Sequence, residues 1–246
     1  MATKTLRPHL LRPLHATPRT PKRTFLPNPF AAPTTPFTPQ VQTLTARRML
    51  PYPPFPIYAI IVDIGSYSAF LPPCTSSTVT KWSQPDAVYH RRWPSEGTMT
   101  VGWKGLNEVF ASRIFCVPGR IVESVGGATE TALRGDEIRH HLDAAEGGRA
   151  GGDGDGGADL LTHLRSRWTL SPLPSERSDG PAQTEVVLSL EFAFANPFYT
   201  FMSAAAKPVV AERMIEAFEG RLRSQLDGRT DLEQAKLADF GGSLPA

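Results

Sequence analysis

Residues 184–206, TEVVLSLEFAFANPFYTFMSAAA, fix how the end of this chain must be built. Residues 184–195 alternate with period two. Val186, Leu188, Leu190, Phe192 and Phe194 fall on one face, while Glu185, Val187, Ser189, Glu191 and Ala193 fall on the other. Such a run is a strand with one buried face. Asn196-Pro197 then supplies an N-cap and a first-turn proline, so a long helix is predicted from Pro197 to about Leu226. Phe198, Phe201, Met202, Ala205 and Val209 share one face of its first half, and Val210, Met214, Ala217, Phe218 and Leu222 continue in the second. Pro208 removes one internal hydrogen bond, which predicts a bend there. From Phe192 to Ala206 fifteen residues carry no charge, and five of the ten residues 192–201 are aromatic. That block falls short of the ~20 residues a spanning helix requires. Any membrane contact is therefore expected to be peripheral, with Phe198, Tyr199 and Phe201 as candidates for shallow insertion.

The elements upstream are short. Residues 42–50 (QTLTARRML) read as a first strand. PYPPFP then blocks regular structure and opens a helix over residues 57–64, ended by Gly65. Residues 66–71 form a second short helix stopped by Pro72 and Pro73. Strands are predicted at 75–82, 98–104, 108–116, 120–125 and 164–170, with Pro118-Gly119 as a turn. In the strand 98–104, Met99, Val101 and Trp103 share a face; in 164–170, Ser166 and Trp168 do. One strand, two short helices, a run of antiparallel strands and one long helix make an α+β fold in which a curved sheet leaves room for a cavity against the helix.

Composition changes at both ends and in the middle. Residues 1–48 hold eight basic residues, no acid appears before Asp63, and the whole chain is +2, so residues 49–246 carry −6. A nucleic-acid binder needs a basic face on its fold, and this balance argues against one. The leader is rich in Arg, Thr and Pro and lacks an apolar block, which fits a mitochondrial transit peptide; seven prolines between Pro18 and Pro39 extend it as linker. Residues 1–40 are assigned to this leader, 41–226 to the domain and 227–246 to a tail. Seven of the eleven residues 147–157 are Gly. A calcium loop starting at Asp153 would need an acid or Asn at 157 and Glu at 164, where Gly157 and Leu164 stand. Residues 126–159 are therefore read as a disordered insertion with a short helix at 136–146. Its adjacent His140 and His141 point to opposite sides and lack other ligands at useful spacing, so no metal site is expected. The two cysteines, Cys74 and Cys116, form at most one bridge and are read as buried thiols.

Four blocks carry a resemblance: RRMLPYPPFPIYAIIVDIGSYSAFLPPCTSS (47–77), TVGWKGLNEVFASRIFCVPGRIVES (100–124), LLTHLRSRWTLSPLP (160–174) and TEVVLSLEFAFANPFYTFMSAAAKPVVAERMIEAFEGR (184–221). In order and content they resemble the mitochondrial coenzyme Q-binding family, within the START and polyketide-cyclase superfamily. The resemblance implies a helix-grip START-like fold, a curved antiparallel sheet wrapped around a long C-terminal helix with two short N-terminal helices. It also implies a polyprenyl quinone ligand. The implied location is peripheral, on the matrix side of the mitochondrial inner membrane, and the implied role is that of a lipid chaperone supporting respiration and quinone biosynthesis, with a quinone-biosynthesis complex as a further partner. Pro73 stands where the family has an aromatic, and the loops at 84–97 and 126–159 are longer than the family's.

An isoprenoid tail requires a large apolar cavity, and each buried methylene contributes about 0.8 kcal/mol. On the resemblance, the lining is assigned to Tyr58, Val62, Val101, Trp103, Phe110, Trp168, Leu188, Leu190, Phe192, Phe194, Phe201, Ala205, Val209, Met214 and Phe218. Periodicity alone does not distinguish such a stripe from ordinary core. No G-x-S-x-G or H-E-x-x-H motif occurs. Asp63, Lys104, Glu108, Arg113 and Glu123 form no acid-base pair by spacing. The expectation is therefore binding without turnover, no catalytic residue, no metal and no cofactor other than the quinone cargo. The alternatives are a cyclase on the same fold or a protein-interaction module.

Overall fold

The computed structural model describes residues 40–103, 106–142, 161–174, 182–195 and 207–227, without the side chains of residues 103, 106 and 207–211. Seven strands form one antiparallel sheet: β1 (Gln42–Leu50), β2 (Cys74–Trp82), β3 (Pro94–Trp103), β4 (Leu106–Val117), β5 (Ile121–Gly127), β6 (Leu161–Leu173) and β7 (Gln183–Phe194). Their order across the sheet is β1-β7-β6-β5-β4-β3-β2. The first strand therefore pairs with the last, Leu50 opposite Thr184 and Gln42 opposite Phe192. Between β1 and β2 lie α1 (Pro54–Val62) and a 3-10 turn (Ile64–Ala69); a four-residue α2 (Arg139–Leu142) precedes β6, and α3 (Lys207–Leu226) follows β7.

The helix α1 starts three residues earlier than predicted. Proline is tolerated in a first turn, where its missing N–H has no partner to lose, so the Pro-rich stretch forms the turn itself. Pro56 to Val62 are all buried, because α1 is apolar on every side and lies between sheet and α3. The Pro118-Gly119 turn is confirmed. Gly119 has φ +74, and a Cβ there would come within 2.7 Å of the Phe55 ring, so the position admits only glycine. Pro208 is the second residue of α3 as described, and residues 196–206, which include the predicted cap at Asn196 and Pro197, lie outside the described residues.

The two sheet faces carry different cores. On the inner face, Ala46, Leu50, Ile114, Cys116, Val122, Trp168, Leu170, Val186 and Leu188 pack with α1 and with Ile215, Phe218, Leu222 and Leu226 of α3. On the outer face, Phe115, Val117 and Val125 pack with Ile138. This second cluster corrects the reading of residues 126–159 as one disordered insertion. Gly126 and Gly127 belong to β5, and residues 128–142 lie on the outer face. The cause is a period-two pattern that is apolar on both sides of β4, so the outer side also needs cover. His140 and His141 do not point to opposite sides as expected: both are buried, and their ring centroids lie 4.3 Å apart. Residues 143–159 lie outside the described residues.

The loop between β2 and β3 is also built rather than loose. The buried Asp86 accepts from the amides of Val88 (2.9 Å), Tyr89 (2.8 Å) and Arg91 (3.3 Å) and from Trp93 Nε1 (2.9 Å). Trp93 is fully buried against Tyr58, ring centroids 5.6 Å apart. β3 accordingly begins at Pro94, four residues before the predicted start.

Candidate ligand-binding face

The register divides the inner face into cross-strand rows. One row runs Ala46, Leu188, Trp168, Val122 and Cys116 from β1 to β4, and every member is buried. The next runs Leu44, Leu190, Ser166, Ser124 and Ile114. Beyond it, Leu164 opposes both Phe192 and Gly126, and Phe110 opposes Met99. Leu44, Leu164, Leu190, Met99, Val101 and Phe110 are half-buried. The inner face thus has a closed half under α1 and α3 and an apolar half that is only partly covered.

The closed half is packed to near completion. Between α1, α3 and the sheet remains a cavity of about 10 Å³, the space of roughly one water. Leu50, Ile57, Trp168, Val186, Ile215 and Phe218 line it, with Arg48 and Glu219 at its edge. Phe218 is the hub: its ring centroid lies 4.4 Å from Trp168, 5.0 Å from Phe70 and 5.2 Å from Tyr67, all edge-on. At the rim Arg48 is paired with Glu212 and, at 3.7 Å, with Glu219, and the Tyr52 hydroxyl donates to Asp227. Burial, with Asp227 adding to it, pushes the Tyr52 phenol up to about 12. These contacts hold α3 onto β1.

The residues predicted to line a cavity fall into three groups. Tyr58, Val62, Trp168, Leu188 and Phe218 sit inside the packed core, with Met214 against it. Val101, Phe110, Leu190 and Phe194 are half-buried, and Phe192, at 8% exposure, packs edge-on against Phe194 at 5.5 Å. The side chains of Trp103 and Val209, and residues Phe201 and Ala205, lie outside the described residues. Burial, with Cys116 beside it, holds the Tyr58 phenol well above its ordinary range, so it stays protonated. Cys74 and Cys116 are free and buried; burial pushes the Cys116 thiol up to about 12 and raises Cys74 as well, which makes both poor nucleophiles.

The polar groups considered for chemistry are dispersed. Asp63 accepts from the Ser66 hydroxyl at 2.6 Å. Glu108 opposes Val101 on the inner face, whereas Arg113 opposes Glu96 on the outer face. Glu123 is buried on the outer face among Arg167, Thr131 and Ala132. Lys104 lies outside the described residues. Sequence reasoning missed a buried pair, Ser95 and His141, whose Oγ and Nδ1 are 2.7 Å apart. His141 Nε2 accepts the Cys116 amide at 2.9 Å, which leaves the ring proton on Nδ1, donated to Ser95. A serine that accepts from its histidine is not being activated by it. Burial, then the neighbouring His140, lowers the His141 pKa to about 3, so the ring is neutral. Among the described residues no group of His, Cys, Asp or Glu could hold a metal ion.

Comparison with known proteins gives this architecture its class. A family model described as polyketide cyclase/dehydrase and lipid transport matches residues 50–133. The crystal structure of an aromatase/cyclase from Streptomyces sp. R1128 aligns with a TM-score of 0.52 at 14% identity, covering 77% of this chain and 99% of that one; at that identity the likeness is one of fold. The chain has the helix-grip fold of the START and polyketide-cyclase-like superfamily. Its sequence is similar to those of mitochondrial coenzyme Q-binding proteins. It is 25% identical over 194 residues to that of Schizosaccharomyces pombe, across 78% of this chain and 94% of the relative. With that of Saccharomyces cerevisiae it shares 26% over 180 residues, across 73% and 70%. Both are named for binding, not for a reaction.

Proposed function

We propose that this chain binds coenzyme Q in mitochondria and carries it as a lipid chaperone, in support of respiratory electron transport and of quinone biosynthesis. The observation that carries the reading is the inner face of the sheet: from Leu44 and Met99, which pack against the core, it continues largely apolar through Val101, Phe110, Leu164 and Leu190, with Glu108 opposite Val101. An isoprenoid tail laid on that face gains about 0.8 kcal/mol per buried methylene, so a few units offset the cost of immobilisation. Similarity to proteins named for coenzyme Q, along 94% of one of them, supports this cargo over other lipids. The cargo is the only small molecule the reading requires, and it leaves unchanged: Ser95 and His141 are committed to holding β3, β4 and α2 together. The Arg-rich leader supports delivery to the organelle. Among the described residues no helix is long and apolar enough to cross a membrane, which suits a peripheral position on the matrix side of the inner membrane. There a quinone-biosynthesis complex is a natural partner.

The test is organic extraction of the full chain, purified from a quinone-producing host, followed by mass spectrometry. Near-stoichiometric polyprenyl quinone is expected. A folded, mildly washed protein without quinone would remove the reading.

A further inference from the structure

The half-buried part of the inner face is largely apolar, with Glu108 opposite Val101 toward one end and a row of serines in the middle. Ser124 of β5 and Ser166 of β6 are directly opposite partners, and Ser112 lies on the same face of β4, two residues before Ile114, which opposes Ser124. All three are half-buried. Around them stand Leu44 and Leu190 in the same row and Leu188, Trp168 and Val122 in the next. None of the three hydroxyls makes a side-chain hydrogen bond among the described residues. A hydroxyl on an apolar, partly desolvated face costs stability unless something bonds to it; Ser66, Ser77 and Ser95 have such partners, in Asp63, the Ile64 carbonyl and His141, whereas these three share one apolar face without one.

We propose that Ser112, Ser124 and Ser166 form a polar subsite on the inner face for the oxygen-bearing ring of a quinone. The inference rests on the coenzyme Q reading and locates the ring within it. Carbonyl and ether oxygens on such a ring are acceptors, and each serine supplies one O–H donor. Directly opposite side chains on one sheet face stand about 4.5–5.5 Å apart at Cβ, a spacing that lets two hydroxyls address oxygens on a single six-membered ring. Trp168 and Leu188 bound the subsite toward the packed core. The tail then runs the other way, over Leu164, Phe110, Met99 and Val101. A row of serines thus sets the orientation of the cargo, while the apolar residues supply its retention.

The experiment compares two probes on the full chain by isothermal titration in one detergent: ubiquinone with two isoprene units, and squalene as a ring-free polyisoprene. The wild type is expected to prefer the quinone. Ser124→Ala/Ser166→Ala should weaken quinone binding by about five- to tenfold, the loss of two modest hydrogen bonds, with squalene binding unchanged. Ser124→Thr/Ser166→Thr, which keeps both hydroxyls, should retain the preference. An alanine variant that binds quinone like the wild type overturns the subsite and leaves the coenzyme Q reading standing, as does an equal loss of both probes. A wild type that binds no quinone overturns both.

Discussion

Glu123 is fully buried on the outer face of β5, and Arg167 of the neighbouring strand grips it: Nε lies 2.7 Å from Oε2, and Nη2 donates to the same oxygen. The other oxygen, Oε1, accepts from the Thr131 hydroxyl and, at 3.3 Å, from the Ala132 amide. One carboxylate therefore joins three pieces of chain, two strands and the segment that covers them. Arg165 Nε, 3.9 Å from Oε2, adds a weaker attraction.

Removing that carboxylate should act on the covering segment first. Glu123→Ala leaves Arg167 without its anion, whereas Arg165 keeps Glu191 at 3.0 Å; Arg167 is about a third exposed, so the cost falls below that of a wholly buried pair, at about 2–4 kcal/mol. Urea unfolding measures the loss. Amide exchange over residues 129–142 should accelerate more than exchange in β7. Uniform acceleration across the sheet would mean that the carboxylate supports the whole fold and does not pin this segment.

Phe218 and Leu190 separate core from lining. Phe218 is 2% exposed and contacts three aromatic rings, so Phe218→Ala should cost about 3–5 kcal/mol. Leu190 is half-buried in the open half of the same face, so Leu190→Ala should cost roughly 1 kcal/mol, as part of its surface is already in contact with solvent. Leu190→Trp should leave thermal stability near wild type and lower co-purifying quinone on the order of tenfold, the equivalent of about two methylenes of lost contact. A large stability loss for Leu190→Ala would assign it to the core.

The strands and their faces were legible because the inner face is apolar and the outer one polar over most of β6 and β7, and period-two reading needs only that contrast. β1 was placed to the residue. The loops were less legible. Trp93 and Asp86 sit in a stretch, QPDAVYHRRWP, with no periodicity; what orders it is one carboxylate collecting four N–H donors, a long-range closure that Pro85-Asp86 marks only as a turn. Ile138 and the paired histidines were hidden for the same reason: their burial depends on the outer side of β4, through Phe115 and Val117, two strands away in sequence. At the site, the sequence placed Ser166 beside Trp168 on one face, but only the register brings Ser124 opposite Ser166. Whether an aromatic on that face is core or lining depends on where α1 and α3 lie, and periodicity carries no information on that.

Asp86 should give the loop between β2 and β3 an acid-labile hold. Burial opposes ionisation of its carboxyl, but the amides of Tyr89, Val88 and Arg91 and the Trp93 indole outweigh it and hold the pKa below the usual carboxylate value of 3.8. A carboxyl depressed in the folded state contributes stability that is present above its unfolded pKa and lost as pH falls through the folded one. Wild-type stability should therefore drop as pH goes below about 3.8, and Asp86→Asn, less stable at neutral pH, should show a shallower drop there. Denaturant midpoints at pH 7, 5, 4 and 3 test this; parallel curves would show that the carboxylate is not the titrating group.

His141 should titrate in a different window. Its pKa is lowered from 6.5 to about 3 by burial and by His140 beside it. The unfolded chain thus binds a proton below pH 6.5 that the folded chain refuses until about pH 3, and stability rises with pH wherever the unfolded state holds more protons. The contribution is complete above pH 6.5 and declines steadily below it. His141→Gln can still accept the Cys116 amide and donate to Ser95 and has no proton to take up. It should be within about 2 kcal/mol of wild type at pH 7 and lose less stability between pH 6.5 and 4.5, a range above the Asp86 transition. Equal slopes for wild type and variant in that range would mean that His141 is hydrated and titrates normally, and that the seal formed by Ile138, Phe115 and α2 over the outer face opens in solution.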